Sequence, residues 1–346
     1  MIETLNIFRW ATKELSQDAF ICWMLSWADP KAKAIDPGMH QGGLTFLNAL
    51  LSLHGEPPVV GMSVTVATQI RHTDVIALIG EDRVVLIEDK TDGKDPAEKL
   101  RRGVLAIQDA YPKKRVMPVY FKTGDQGNYA AVHEANYKIY MRRDLLRDLR
   151  AMAVQCKHNA IFTDFLAHME RREYLAQSYE RSEVSDWSLY AWQGFFLALQ
   201  EKFQDMDWDV VNPPSGAFMA AYWHYEKWGS WDTYLQIEED LLVMKMNFWG
   251  EMDRPTRTRI REQWFGILAE AAKGGPISIQ KPRRSGVGMT MTAAHIGTEG
   301  EWMCKGPDGY LDLNATVKYL RLAMTVLDKA RAQGTHIVPG EADRFA

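Results

Sequence analysis

The sequence predicts an α/β unit in the first half of the chain, a mixed sheet flanked by helices, and an α+β unit in the second. Three features carry that expectation. Apolar, β-branched runs at 64–70, 73–79 and 83–90 are parted only by short polar or glycine-containing turns, the pattern of consecutive strands. Helical runs border them. Phe20, Trp23, Met24 and Trp27 recur at helical spacing within 15–27, and a helix fits 96–110 ahead of an apolar strand at 116–121. In the second half, 233–238 and 241–247 alternate like a hairpin about Glu239-Asp240, among longer helical runs.

The remaining elements follow from punctuation. Thr12 or Ser16 can cap the first helix, and Asp29-Pro30 ends it. Asp36-Pro37-Gly38 makes a turn, Gly42-Gly43 leads into a helix at 44–53, and Pro57-Pro58 stops that helix. Residues 91–96 are a loop, and Lys122-Thr123-Gly124-Asp125 is the polar exit of the 116–121 strand. Amphipathic helices at 142–152 and 161–172 are expected to cover the sheet. A polar stretch between Glu170 and Glu183 marks a boundary, giving domains 1–175 and 186–346. The second domain is read as a helix at 187–203, a strand at 209–211, the central hairpin, a helix at 257–273, strands at 277–281 and 289–294, and a helix at 313–332.

The stretch RHTDVIALIGEDRVVLIEDK carries the chemistry. If Gly80-Glu81-Asp82 forms a three-residue loop, Ile79 pairs with Arg83 and Asp74 falls opposite Glu88. Cross-strand partners lie about 4.5–5.5 Å apart at Cβ, and Lys90 shares the face because strand side chains alternate. A two-residue loop would instead send Glu88 and Lys90 to the other face. In the three-residue register, two carboxylates and an ammonium converge. Like charges directly opposite are destabilising, and a divalent cation between them reverses the sign. Magnesium is commonly held by one or two carboxylates, so metal-assisted phosphodiester hydrolysis is the chemistry suggested. A charged hairpin on a solvated sheet face is the plainer alternative.

Asp74 with Glu88-Asp89-Lys90 resembles the signature of the PD-(D/E)XK nuclease superfamily, and the order helix, three strands, helix, strand resembles that family's restriction-endonuclease-like core. Lys13-Glu14-Leu15-Ser16-Gln17-Asp18-Ala19-Phe20, Trp23-Met24-Leu25 and His40-Gln41-Gly42-Gly43 resemble one branch that carries a glutamate early in its first helix. The resemblance covers roughly the first 170 residues. It implies Asp74 and Glu88 as metal ligands, Lys90 and Glu14 as further catalytic residues, and magnesium as cofactor with manganese able to substitute. Glu14 also has an ordinary reading, as an acid favoured by the helix dipole. One departure stands out: where the family often has Gln-Leu on the following helix, this chain has Lys99-Leu100. A lysine cannot accept a hydrogen bond. It either contacts phosphate or marks a weakened site.

Lys99, Arg102 and Lys122 are candidate nucleic-acid contacts in the first domain, against the alternative of solvated surface. In the second, Arg283 and Arg284 lie in a glycine-bearing loop that suits phosphate and equally suits a simple turn. The 346 residues carry a formal net charge of −4, so any basic surface is local. Twelve tryptophans are read chiefly as core residues. Cys22, Cys156 and Cys304 are dispersed without zinc spacing. No signal peptide or bilayer-length apolar run is evident, and a cytoplasmic location is expected. The expected function is a magnesium-dependent nuclease acting on DNA in defence, restriction or repair. The alternative is a non-catalytic nucleic-acid-binding or regulatory protein that keeps the fold. Cleavage of both strands would call for a homodimer, and the second domain could serve a protein partner.

Overall fold

The computed structural model describes residues 5–211, 218–228, 230–282 and 288–334. They form two compact units, Met1–Leu175 and Ala176–Ala346. The first contains α1 (Glu14–Ser26), α2 (Pro37–Ser52), β1 (Val64–Ile70), β2 (Thr73–Ile79), β3 (Arg83–Lys90), α3 (Ala97–Ala110), β4 (Arg115–Lys122), α4 (Ala130–Glu134), β5 (Lys138–Met141), α5 (Arg142–Cys156) and α6 (Ala160–Ala176). Its sheet has the order β1-β2-β3-β4-β5. The first three strands are antiparallel neighbours, whereas β3–β4 and β4–β5 are parallel. This is a mixed sheet flanked by helices.

Strand alternation divides the unit into two layers. Val75, Ala77, Val85, Ile87, Val119 and Phe121 join one core with Phe20, Met24 and Leu25 of α1, Phe46 and Leu47 of α2, and Leu145 and Leu149 of α5. Ile76, Val84, Leu86 and Tyr120 join the other with Leu100 and Ile107 of α3. Every residue of β3 is buried, because this central strand has a strand on each side and helices on both faces. The β2–β3 register pairs Ile79 with Arg83 and Val75 with Ile87. That is the three-residue loop, and the next rung sets Asp74 against Glu88.

The second unit contains α7 (Leu189–Gln200), β6 (Asp207–Val211), β7 (Phe218–Trp228), β8 (Trp231–Glu238), β9 (Leu241–Phe248), α8 (Arg254–Ala272), β10 (Ile279–Gln280), β11 (Thr290–Ile296) and α9 (Leu313–Gln333). Its antiparallel sheet has the order β10-β11-β9-β8-β7-β6. Trp223, Trp231, Trp264 and Trp302 are fully buried in its core, where their large apolar surface contributes most.

Several elements depart from expectation. No strand was read at β7, where a bulge between Trp223 and Glu226 breaks the alternation; nor were α4 or β5, which are short. The strand expected at 277–281 shrinks to Ile279–Gln280. The stretch 174–186 is no slack linker: it holds two 3-10 turns, and Tyr179 and Trp187 anchor it in the second core.

Gly42 and Gly43 do not precede the second helix but lie inside it. A Cβ on Gly43 would stand 2.6 Å from both Ala28 N and Trp27 C, backbone atoms at the end of α1. One on Gly42 would meet Cys156 Sγ at 2.6 Å. Alanine ordinarily gains about 1 kcal/mol over glycine within a helix. The collision with backbone outweighs it, since overpacking costs about 1–3 kcal/mol. Gly43→Ala is therefore expected to lower stability by up to about 2 kcal/mol in urea unfolding, the overpacking cost less the helix gain; an increase would contradict the close α1–α2 approach.

Candidate functional site

The site lies at the end of β3, where the β2–β3 ladder stops. Lys90 is its centre. Its Nζ lies 3.1 Å from Glu88 Oε1, 3.2 Å from Asp74 Oδ2, 3.4 Å from Asp95 Oδ2 and 3.8 Å from Glu14 Oε2. It also donates to the Asp89 carbonyl at 2.5 Å. Four carboxylates thus surround one buried ammonium. Burial opposes the lysine's charge, but Glu88, Asp74 and Asp95 outweigh it and hold the Lys90 pKa above the ordinary lysine value. Asp74 is fixed from two sides, because its Oδ2 also accepts from Asp89 N at 2.9 Å.

Lys99 is the second cation. From α3 its Nζ reaches Glu88 Oε1 at 2.9 Å and Asp95 Oδ2 at 2.8 Å. The Asp95–Lys99 pair has the i,i+4 spacing that brings side chains together on a helix, a signal that could have revealed Asp95. Even with both ammoniums present, burial first, then Asp95 and Asp74, push the Glu88 carboxyl up to about 7. Four carboxylates against two ammoniums leave the centre short of positive charge.

A second polar layer lies on the opposite face of β3. Gln17 Nε2 donates to Asp89 Oδ1, and Gln17 Oε1 accepts from Thr123 Oγ1 at 2.6 Å. Asp18 Oδ1 and Asp89 Oδ2 are buried without a donor. Burial first, then the Asp74 charge, raises the Asp18 carboxyl to about 6, and burial with the Asp18 charge raises Asp89 well above the ordinary range. A single proton shared between them satisfies both orphan oxygens. Alternation placed Asp89 on this face in advance, but the pairing with Asp18 needed the position of α1.

The expected site residues separate clearly. Glu14, Asp74, Glu88 and Lys90 are brought together, and Lys99 joins them. Glu14 does more than begin a helix: its Oε1 accepts from Thr91 N at 3.1 Å and ties α1 to the loop after β3. Arg102 is exposed on α3. Lys122, expected beside a phosphate, is fully buried, because the loop after β3 folds over it. Its ammonium donates to the carbonyls of Thr91 at 2.8 Å and Gly93 at 2.6 Å. Burial lowers its pKa to about 8, and it acts here as a strut. Arg283 and Arg284 lie outside the described residues.

Among the described residues, no three His, Cys, Asp or Glu side chains already form a cation cage. Magnesium needs fewer, since one or two carboxylates and several waters are its usual set. Asp74 and Glu88, beside Asp95 and Glu14, would supply carboxylate oxygens of the hard kind that ion takes. No family model, curated protein or solved structure matches the chain.

The charge balance gives a direct test by unfolding. Lys90→Met strands buried carboxylates and is expected to cost about 3–5 kcal/mol, the usual range for breaking a buried ion pair. Asp89→Asn removes a carboxylate that must otherwise hold a proton, while keeping an oxygen for Gln17. It should be neutral or stabilising at pH 7.5. Equal large losses in both variants would contradict these assignments.

Proposed function

We propose that the chain is a magnesium-dependent nuclease with a restriction-endonuclease-like first unit, hydrolysing phosphodiester bonds in DNA. The observation that carries this reading is the convergence of Asp74 and Glu88 on the Lys90 ammonium, at 3.2 and 3.1 Å, beside Glu14. Asp74 and Glu88 would hold the metal, which when bound supplies Lewis-acid polarisation of the scissile phosphate. Lys90 then orients the attacking water and balances the charge that builds on the phosphate oxygens. Glu14 positions the loop after β3. Water adds to phosphorus, the P–O ester bond breaks, and the leaving alkoxide takes up a proton. Defence, restriction and repair in the cytoplasm are roles such an activity fits. Among the described residues, no helix is long and apolar enough to cross a membrane.

A second reading has its own observation. Lys99 sits 2.9 Å from Glu88 and 2.8 Å from Asp95, so an ammonium already neutralises part of the donor set. A protein that keeps the fold for nucleic-acid binding or regulation, without cleavage, would tolerate this arrangement. The side chain of Lys99 is 41% exposed, so it is free to swing outward when a divalent ion arrives.

Plasmid nicking in magnesium or manganese separates the readings. The wild-type chain is expected to nick, and Asp74→Ala, Glu88→Ala and Lys90→Ala each to lose about 10²-fold or more. Magnesium should raise the wild-type melting temperature by linkage, by an amount equivalent to about 2.7 kcal/mol at a hundredfold excess over Kd. The rise should be much smaller in Asp74→Ala, and Lys99→Gln should reach it at lower magnesium. Duplex binding without cleavage in either metal would leave the second reading standing.

A further inference from the structure

The β1–β2 turn is built from residues that disfavour its backbone. Ile70 pairs with Thr73, which leaves Arg71 and His72 as a two-residue connection. Both have positive φ, 53° and 65°, as a type I′ turn requires. Asn-Gly is the favoured pair there, because other side chains meet their own backbone in the left-handed region. Gln69, which the register sets opposite Asp74, is a third non-glycine residue in that region, at φ 56°. All three are exposed. Neither Arg71 nor His72 fills a core, and Arg71 makes no ion pair among the described residues. The fold therefore carries strain that returns nothing in packing. Uncompensated strain of this kind clusters where a ligand is bound.

The position of the turn points to the ligand. Asp74 follows His72 by two residues, so the turn stands within about 7 Å of it along the strand. It lies at the same end of the sheet as Glu88 and Lys90. A Cβ placed on Gly103 would be 3.5 Å from Thr73 Cγ2, so α3 passes beside the turn. Arg102, the residue before Gly103, is exposed. Arg71 on the turn and Arg102 on α3 thus supply exposed positive charge at the rim of a carboxylate-rich centre. A polyanion is repelled by the centre and attracted by the rim, so the rim would hold its phosphates just outside the reacting position.

We infer that the Arg71–His72 turn is a contact for the phosphate backbone of a nucleic-acid duplex, flanking the Asp74–Glu88–Lys90 centre. The inference rests on the nuclease reading and adds to it the element that positions the substrate. Backbone contacts carry no sequence information directly, so duplexes of unrelated sequence are held alike.

The test uses the full chain, labelled DNA duplexes of two unrelated sequences, and anisotropy in calcium at several salt concentrations. The double variant Arg71→Asn with His72→Gly installs the favoured turn. It should melt several degrees higher than wild type, yet bind both duplexes about tenfold more weakly. Its slope of log affinity against log salt should flatten by about one unit, as expected for one lost phosphate contact. Arg71→Glu keeps the strained turn and should weaken binding at least as much. A more stable double variant with wild-type affinity and slope would overturn the inference alone, leaving the nuclease reading intact if the wild type still nicks plasmid. A wild-type chain that neither binds nor nicks any duplex would overturn both.

Discussion

One buried ammonium among four carboxylates organises the first unit. Lys90 sits at the end of a strand whose every residue is buried, and a charge there is costly unless paired. Its partners come from four places: Glu88 on its own strand, Asp74 on β2, Asp95 ahead of α3 and Glu14 on α1. Holding that single charge therefore fixes the ends of two strands and the starts of two helices. Glu14 in turn ties the loop after β3, and that same loop closes over Lys122. The site and the local fold are one arrangement, which is why Lys90 is expected to matter to stability as well as to chemistry.

The arrangement is also unbalanced. Were the centre purely structural, two carboxylates would serve two ammoniums. Instead Glu88 is raised to about 7, and a proton-sharing pair, Asp18 and Asp89, lies on the reverse face of the same strand. Such an excess of negative charge destabilises the isolated centre and stabilises whatever cation enters it. Lys99 is the nearest supply of positive charge, and its partial exposure makes it an exchangeable one. At the position where the resembled signature often has an uncharged amide, this chain has Lys99, whose ammonium lies against both Glu88 and Asp95.

Much of this was legible in the sequence. The spans of β1, β2 and β3 could be read because β-branched runs are parted by short polar or glycine-containing segments. The convergence of Asp74, Glu88 and Lys90 followed from strand alternation once the loop was taken as three residues, the register found between Ile79 and Arg83. What escaped depended on tertiary placement or on broken patterns. β5 has only four residues, too few for periodicity to register. β7 is interrupted by a bulge at which His224 takes a positive φ of 60°. Lys122 looked like a surface cation because nothing in its neighbours announces that residues 91–93 fold across it. Gly42 and Gly43 read as a helix boundary, since the close approach of α1 that requires them is invisible along the chain. Asp95 was missed despite its helical spacing from Lys99, because an i,i+4 ion pair more often decorates a surface than closes a site.

The central claim is that the Asp74–Glu88–Lys90 centre is built to accept a divalent cation. The most direct measurement is a crystal structure of the manganese-soaked protein, with the ion located by its anomalous scattering. The account predicts one strong peak bridged by Asp74 and Glu88, with the Lys99 ammonium moved away from Glu88 and Asp95 and Lys90 still in place. An empty centre at saturating manganese, with Lys99 still bridging Glu88 and Asp95, would contradict it.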